Sequence, residues 1–300
     1  MKKSLLIIKP GALGDTILTF DLLANLKEHN YEVTFCGNSS YISLISYFGL
    51  GNVYSIEHSY FLPLFYEQKD FNLNSIKVEQ LKNFLSKFSY IVLIYHTKNE
   101  LYHRLKLLFP NQLIYVPSIP MHKISIRCYL SKTILECLNL PIKYINFSLS
   151  FPKYACCNKI IIHPGSGSKY KIWKMENYLS IVEYLLKKNK EITIIEGPAE
   201  YNISKTFERK FHHQINYIKV FSPFEFIQQI NQHHFYIGND SGLTHLASFL
   251  GIPGIAIFGK TDPWLWNPIP CINCLYKNTK DGIFFPSLEF VLSYLKFIQL

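Results

Sequence analysis

The sequence predicts an α/β protein built from two Rossmann-like halves, each a doubly wound parallel sheet, facing one another across a cleft. Three observations carry this. Short apolar runs such as YIVLIYH at 90–96 and EITIIE at 191–196 alternate with stretches of helical period, the pattern of strands buried on both faces. An aperiodic segment from Pro141 to Asn158, bearing Pro141 and Pro152, interrupts that alternation and marks a linker. The main polar, glycine-containing clusters follow directly after apolar runs, at the carboxyl ends of strands where open α/β sheets bind ligands. The chain of 300 residues thus divides into domains 1–150 and 151–300.

Taken in order, SLLIIK at 4–9 is a first buried strand, ended by Pro10 and Gly11 and followed by a helix from Asp15 to Glu28. Next come a strand at 32–36, a helix at 39–48, a strand at 53–56, a helix at 75–87 and the strand at 90–96. The second half restarts with KIIIH at 159–163, a helix at 174–189, the strand at 191–196 and a helix at 199–211. Strands at 217–220, 234–238 and 254–258 alternate with helices at 223–231 and 241–250, and an amphipathic helix at 286–298 closes the chain. The stretch from Trp264 to Phe285 gives no assignment.

Composition narrows the function classes. With 48% hydrophobic and 17% charged residues the chain can bury two cores, so disorder is not the expected reading. A formal net charge of +10 favours an anionic partner. No nucleic-acid-binding module accompanies the charge, so nucleic acid is not the expected partner. Seven basic residues (Lys98, Arg104, Lys106, Lys123, Arg127, Lys132 and Lys143) stand against Glu100 and Glu136 over 98–143, either a solvated face or a contact for an anionic membrane surface. Seven scattered cysteines argue against a disulfide framework, and the start MKKSLLIIK reads as a strand rather than a signal peptide, so the expected compartment is the cytoplasm. Cys271 and Cys274 form one CxxC, and only Cys156 and Cys157 offer a second pair, so no metal site is expected.

Three clusters can carry chemistry. KPGALGD, 9–15, turns tightly at Gly11 and Gly14 and sets Asp15 at a helix start, where it is either a helix cap or a general base for an acceptor hydroxyl. HPGSGSKYKIW, 163–173, offers backbone amides at Gly165 and Gly167, hydroxyls at Ser166 and Ser168, and the charges of Lys169 and Lys171, a composition suited to a diphosphate. Trp173 stacks on a ligand or anchors the next helix. GNDSGLTH, 238–245, places Asp240, Ser241, Gly242, Thr244 and His245 at a helix N-terminus, where unpaired amides and the positive dipole end favour phosphate. The Asp240 carboxylate is expected to accept bonds from loop amides, and His245 is either a ligand contact or a core histidine. GPAE at 197–200 leaves Glu200 as a ribose-hydroxyl acceptor or a helix N-terminal glutamate.

The stretches IIKPGALGDTILTFDLLANLK, IIIHPGSGSKYKIWKMENY and GNDSGLTHLASFLGIPGIAIFGKTDP, in this order, resemble the family 9 glycosyltransferases, the ADP-heptose:lipopolysaccharide heptosyltransferases and their relatives. The resemblance implies a GT-B fold and inverting transfer without metal or other cofactor. It also implies an N-terminal acceptor domain and a C-terminal nucleotide-sugar domain. Asp15 then matches the general base, Lys171 the lysine on the donor phosphates and Glu200 the glutamate at the ribose. Asp240, Ser241, Gly242, Thr244 and His245 match the donor-binding turn; the Ser166 and Ser168 hydroxyls are expected to join Lys171 in stabilising the departing diphosphate. The implied partners are a nucleotide-diphosphate sugar, ADP-heptose first, and a glycolipid or lipopolysaccharide-core acceptor. Beyond residue 30 the first half carries little family signature, so the acceptor itself is not indicated.

Overall fold

The computed structural model describes residues 3–67, 71–142, 158–197, 200, 202–268 and 270–300. The chain divides into two compact units, Met1–Phe147 and Ser148–Leu300. The expected linker, Cys156, Cys157 and Lys143 fall largely or wholly outside the described residues.

Unit 1 contains β1 (Ser4–Ile8), α1 (Leu13–Ile17), α2 (Phe20–Glu28), β2 (Glu32–Gly37), α3 (Ser43–Tyr47), β3 (Asn52–Ser55), α4 (Ile76–Leu85), β4 (Tyr90–Tyr95), α5 (Glu100–Leu108), β5 (Leu113–Pro117) and α6 (Ile126–Cys137). Its five strands are parallel in the order β3-β2-β1-β4-β5. Leu6, Ile8, Ile91 and Leu93 pack on Leu81, Leu85, Leu101 and Leu105, while Leu5 and Ile7 are equally buried on the other side of β1. Burial on both faces is why these strands read as unbroken apolar runs.

The single helix expected over 15–28 is two helices, α1 and α2. Thr16 and Thr19 turn their hydroxyls back onto the carbonyls of Ala12 (3.2 Å) and Thr16 (2.6 Å), and the Thr19 amide bonds Thr16 O three residues back. β-branched residues that bond their own backbone weaken the helix there and let the chain re-aim. The segment Ser59–Phe65, unassigned from sequence, is a 3-10 helix whose Phe61 and Leu64 enter the core.

Unit 2 contains β6 (Lys159–His163), α7 (Met175–Lys187), β7 (Glu191–Glu196), α8 (Ile203–Phe211), β8 (Asn216–Lys219), α9 (Pro223–Ile230), β9 (Phe235–Asn239), α10 (Gly242–Phe249), β10 (Gly254–Ile257), β11 (Ile272–Leu275), β12 (Lys277–Thr279), β13 (Gly282–Phe284) and α11 (Leu288–Phe297). Six strands run parallel in the order β11-β10-β9-β6-β7-β8, with β12 and β13 a separate antiparallel hairpin. The unassigned stretch 264–285 therefore supplies an edge strand, β11, and that hairpin. Two prolines and a four-residue strand give too short an apolar run to reveal it. Ile160, Ile162, Ile194, Ile237 and Ile257 face a layer built from Ile181, Leu185, Phe207 and Val291.

Capping chemistry fixes the helix starts. Ser75, Asn99, Ser125, Ser222, Ser241 and Ser287 each accept a backbone N–H three residues on. Asn30, Asn139 and Asn189 end α2, α6 and α7 in the left-handed conformation that asparagine tolerates.

The basic stretch 98–143 does not form one charged face. Arg104 is buried and bonds Pro63 O at 3.3 Å, Arg127 is buried in a bidentate pair with Asp21 at 2.6 and 2.7 Å, and Lys132 meets Glu136 at 4.0 Å. Lys98, Lys106 and Lys123 are exposed. No helix among the described residues is long and apolar enough to cross a membrane.

Candidate functional site

In each unit the strand order reverses between the first and fourth strands, so the crevice for a ligand opens at the carboxyl ends of β6 and β9 in unit 2 and of β1 and β4 in unit 1. His163, the last residue of β6, lies level with Gly238 of β9. The loops after these two strands consequently emerge side by side, and they are the second and third polar clusters of the sequence.

Asn239, fully buried, ties them together. Its amide nitrogen donates to Pro164 O (2.6 Å) and Gly165 O (3.3 Å), and its carbonyl accepts from the Trp173 amide (3.1 Å) and the Tyr178 hydroxyl (2.9 Å). All of the side chain's main hydrogen-bonding capacity is thus used to clamp the loop 164–173 to the end of β9. Sequence reasoning placed Asn239 in a capping turn only. Its position between a strand end and an Asp-Ser cap was the available signal. Trp173 is an anchor and not an exposed stacking surface: it is buried, with its indole N–H on Pro286 O at 3.1 Å.

Ser241 is the N-cap of α10, accepting from the Thr244 amide at 3.3 Å. The Gly242 and Leu243 amides at the head of this helix have no partner among the described residues, and that is the backbone arrangement that receives an anion. The Thr244 hydroxyl points inward instead, to Asn239 O (2.5 Å), Tyr236 Oη (2.9 Å) and Ser241 Oγ (3.0 Å). Ser166 also faces inward and donates to Asp240 O at 3.0 Å. Ser168 is half-exposed, and its hydroxyl has no partner among the described residues.

Asp240 differs from the expectation that loop amides would satisfy it. Its Oδ2 accepts from the Thr261 hydroxyl (2.7 Å) and the Lys171 ammonium (2.8 Å), and His245 Nε2 lies 3.9 Å from Oδ1. The carboxylate therefore holds Lys171 in place and recruits the loop after β10. Lys171 is 30% exposed, with its ammonium 5.7 Å from the Trp266 ring. Exposed Lys169 and Lys260 both sit 5.3 Å from the Tyr170 ring. Lys260 thus joins Lys169 and Lys171 in a group of three lysines at this end of the sheet.

Glu200 lies under the loop. His163 Nε2 bonds both its oxygens (2.9 and 3.1 Å), the Gly197 amide donates to Oε2 (2.5 Å), and the side chain is 5% exposed. Burial opposes its charge, but the His163 hydrogen bond and charge and the Gly197 amide together hold the carboxyl below its ordinary range. Gly165 is required here, since a Cβ would run into the Glu200 carboxylate. His163 Nδ1 faces Tyr236 Oη (3.4 Å) and Ser241 Oγ (3.3 Å), so one imidazole links Glu200 to the cap of α10.

In unit 1, Asp15 is at the third position of α1 and not at its cap. Its Oδ2 accepts the Ala12 amide at 3.2 Å and its Oδ1 the ammonium of buried Lys9 at 3.0 Å, leaving the side chain 34% exposed. A Cβ on Gly11 would come 2.8 Å from Asp15 Cβ, which explains glycine in that turn. Cys274 lies in β11 and Cys271 in the turn just before it, and both thiols are free. No cluster of three or more metal-ligating side chains occurs among the described residues.

Two Rossmann-like units, each with its strand order reversing at a switch point, have the GT-B fold. The sequence model of glycosyltransferase family 9 (heptosyltransferase) matches residues 104–279, and the chain belongs to that family. It is similar to lipopolysaccharide heptosyltransferase 1 of Campylobacter coli, 34% identical over 108 residues, which cover 34% of this chain and 32% of that protein. With lipopolysaccharide heptosyltransferase 3 of Escherichia coli it is 26% identical over 116 residues, 37% and 34% of the two chains. The aligned part thus spans about a third of the length of these curated relatives. The fold is that of the E. coli heptosyltransferase WaaC with ADP, at a TM-score of 0.72 and 14% identity, covering 98% of this chain and 99% of that one.

Proposed function

We propose that this protein is an inverting, metal-independent glycosyltransferase that moves a heptose or related sugar from an ADP-sugar to a lipopolysaccharide core or similar glycan. Unit 2 binds the donor and unit 1 the acceptor. The observation that carries this reading is the head of α10, where two unpartnered amides follow Asp240, the carboxylate that holds Lys171. Such an array suits a diphosphate and stabilises the charge it gains as a leaving group. The solved relatives support the nucleotide: one holds ADP and another ADP-2-deoxy-2-fluoro heptose.

In this reading Asp15 takes the proton of an acceptor hydroxyl. The oxygen attacks the anomeric carbon opposite the nucleotide, the bond to the diphosphate oxygen breaks, and configuration inverts. Glu200 receives the ribose, in competition with His163 for its oxygens. The enzyme works in the cytoplasm, with any contact to an anionic membrane resting on exposed residues such as Lys123 and not on Arg104 or Arg127.

Thermal shift with a panel of nucleoside diphosphates, followed by mass spectrometry of the product from ADP-heptose and a core oligosaccharide, tests the reading. Selective stabilisation by ADP and a product heavier by one heptose are expected. Equal response to all nucleotides, or no transfer, breaks it.

A further inference from the structure

The loop from Phe258 to Pro270 joins the phosphate end of unit 2 to a second feature. Near its start Thr261 bonds Asp240 at 2.7 Å, and Trp266 lies 5.7 Å from the Lys171 ammonium. Between and beyond these residues the loop lines a pocket of 260 Å³ against edge strand β11. The pocket is thus joined to the anion site by one loop and not by shared lining residues, and it lies on the β10–β11 side of the sheet, away from β7 and Glu200.

Its chemistry differs from that of the anion site. No lysine, arginine, histidine or carboxylate lines it. Burial and the nearby Asp240 charge push the Cys274 thiol up to about 12, so this group too is uncharged at neutral pH. Trp264, 62% exposed, offers an aromatic surface, and Tyr276 adds a second ring. Asn267 accepts the Cys274 thiol at 3.7 Å, but its amide nitrogen, the Asn273 amide and the Tyr276 hydroxyl have no partner among the described residues.

A neutral wall with aromatic faces and unused amide donors and acceptors matches a molecule with apolar C–H faces and many hydroxyls. The volume lies just below the range of about 300–1,000 Å³ typical of sites for drug-sized ligands, which suits one ring better than a nucleotide. We propose that this pocket holds a single neutral sugar ring, laid against Trp264 and hydrogen-bonded by Asn267 and Asn273. The inference rests on the transferase reading, and the ring belongs either to the donor's own sugar or to a sugar of the acceptor glycan.

Calorimetry on the full chain with ADP, ADP-heptose and a heptose-containing core oligosaccharide tests it, comparing the wild type with Trp264→Ala and Asn273→Ala. Both side chains are exposed, so folding is retained. ADP affinity is expected to stay at the wild-type value, while a sugar-bearing probe weakens by about tenfold, as on truncating a large aromatic contact. Loss confined to ADP-heptose assigns the pocket to the donor sugar, and loss confined to the oligosaccharide assigns it to the acceptor. Unchanged affinity for both probes in both variants overturns the proposal. So does a wild type for which heptose adds nothing to ADP binding and the oligosaccharide does not bind. Failure of the wild type to bind ADP sinks the diphosphate reading instead, and the oligosaccharide arm then decides the pocket alone.

Discussion

The two units share a strand order around their switch points and differ in what they build there. Unit 2 invests a buried network: Asn239 clamps one loop, His163 links Glu200 to the α10 cap, and Asp240 fixes Lys171. Unit 1 has a five-residue helix, one ion pair and a carboxylate open to solvent by a third. Preorganised dipoles stabilise a developing charge without reorganising, so rigidity is useful where a diphosphate departs. A base must reach a variable hydroxyl and needs few fixed partners. Under the proposed function, binding and proton transfer would thus rest on different scaffolds within one repeated topology.

The largest expected effect tests the simpler site. Asp15→Ala should lower turnover by about 10² or more, the contribution of a lost general base, with ADP affinity by calorimetry unchanged. Wild-type turnover would remove the contrast between the units. Asn239→Ala tests the elaborate site. It strands the Trp173 amide, the Tyr178 hydroxyl and two carbonyls in a buried place, and each unsatisfied group costs about 1–3 kcal/mol. A loss of at least about 2 kcal/mol in urea unfolding is expected, together with weaker ADP binding. A stable variant with normal ADP affinity would mean that the clamp is not needed.

The same asymmetry governed what the sequence could disclose. Strands buried on both faces announce themselves as apolar runs, so the sheets of both units were legible from YIVLIY and EITIIE. The helix head at Ser241 was legible too, because serine before glycine after a strand is local chemistry. The roles of Asn239, Thr261 and Lys260 were not. They depend on contacts between residues distant in sequence, such as Asn239 with Pro164 and Lys260 with Tyr170, which no local pattern encodes. The direction of the Ser166 and Thr244 hydroxyls, inward to the network, belongs to the same class. Strand β11 escaped because an edge strand of four residues carries too little apolar period.

Lys171→Ala gives a smaller effect, since Lys169 and Lys260 remain. ADP should bind about tenfold more weakly, near 1.4 kcal/mol, and the loss should shrink as salt screens the charge. Asp240, left with Thr261 and the nearby His245, should make the variant modestly less stable. A salt-independent loss would point to packing against Trp266 in place of charge. Undiminished affinity would take Lys171 out of the phosphate site and leave Asp240 as its whole purpose.

The smallest effect is a pH dependence carried by Glu200. Its carboxyl in the folded state lies below the ordinary value because of His163 and the Gly197 amide. The unfolded chain therefore takes up the proton first as pH falls. The stabilisation is fully present above the unfolded value of about 4.3 and is lost as pH falls through the lower folded value. Glu200→Gln keeps the shape and removes the ionisation, so it should be less stable than wild type at pH 6, with the gap closing on acidification. Urea midpoints at a series of pH values measure this. A gap independent of pH would mean that Glu200 acts through packing on Gly165 alone, and unit 2 would then owe its rigidity to Asn239 and not to its buried charge.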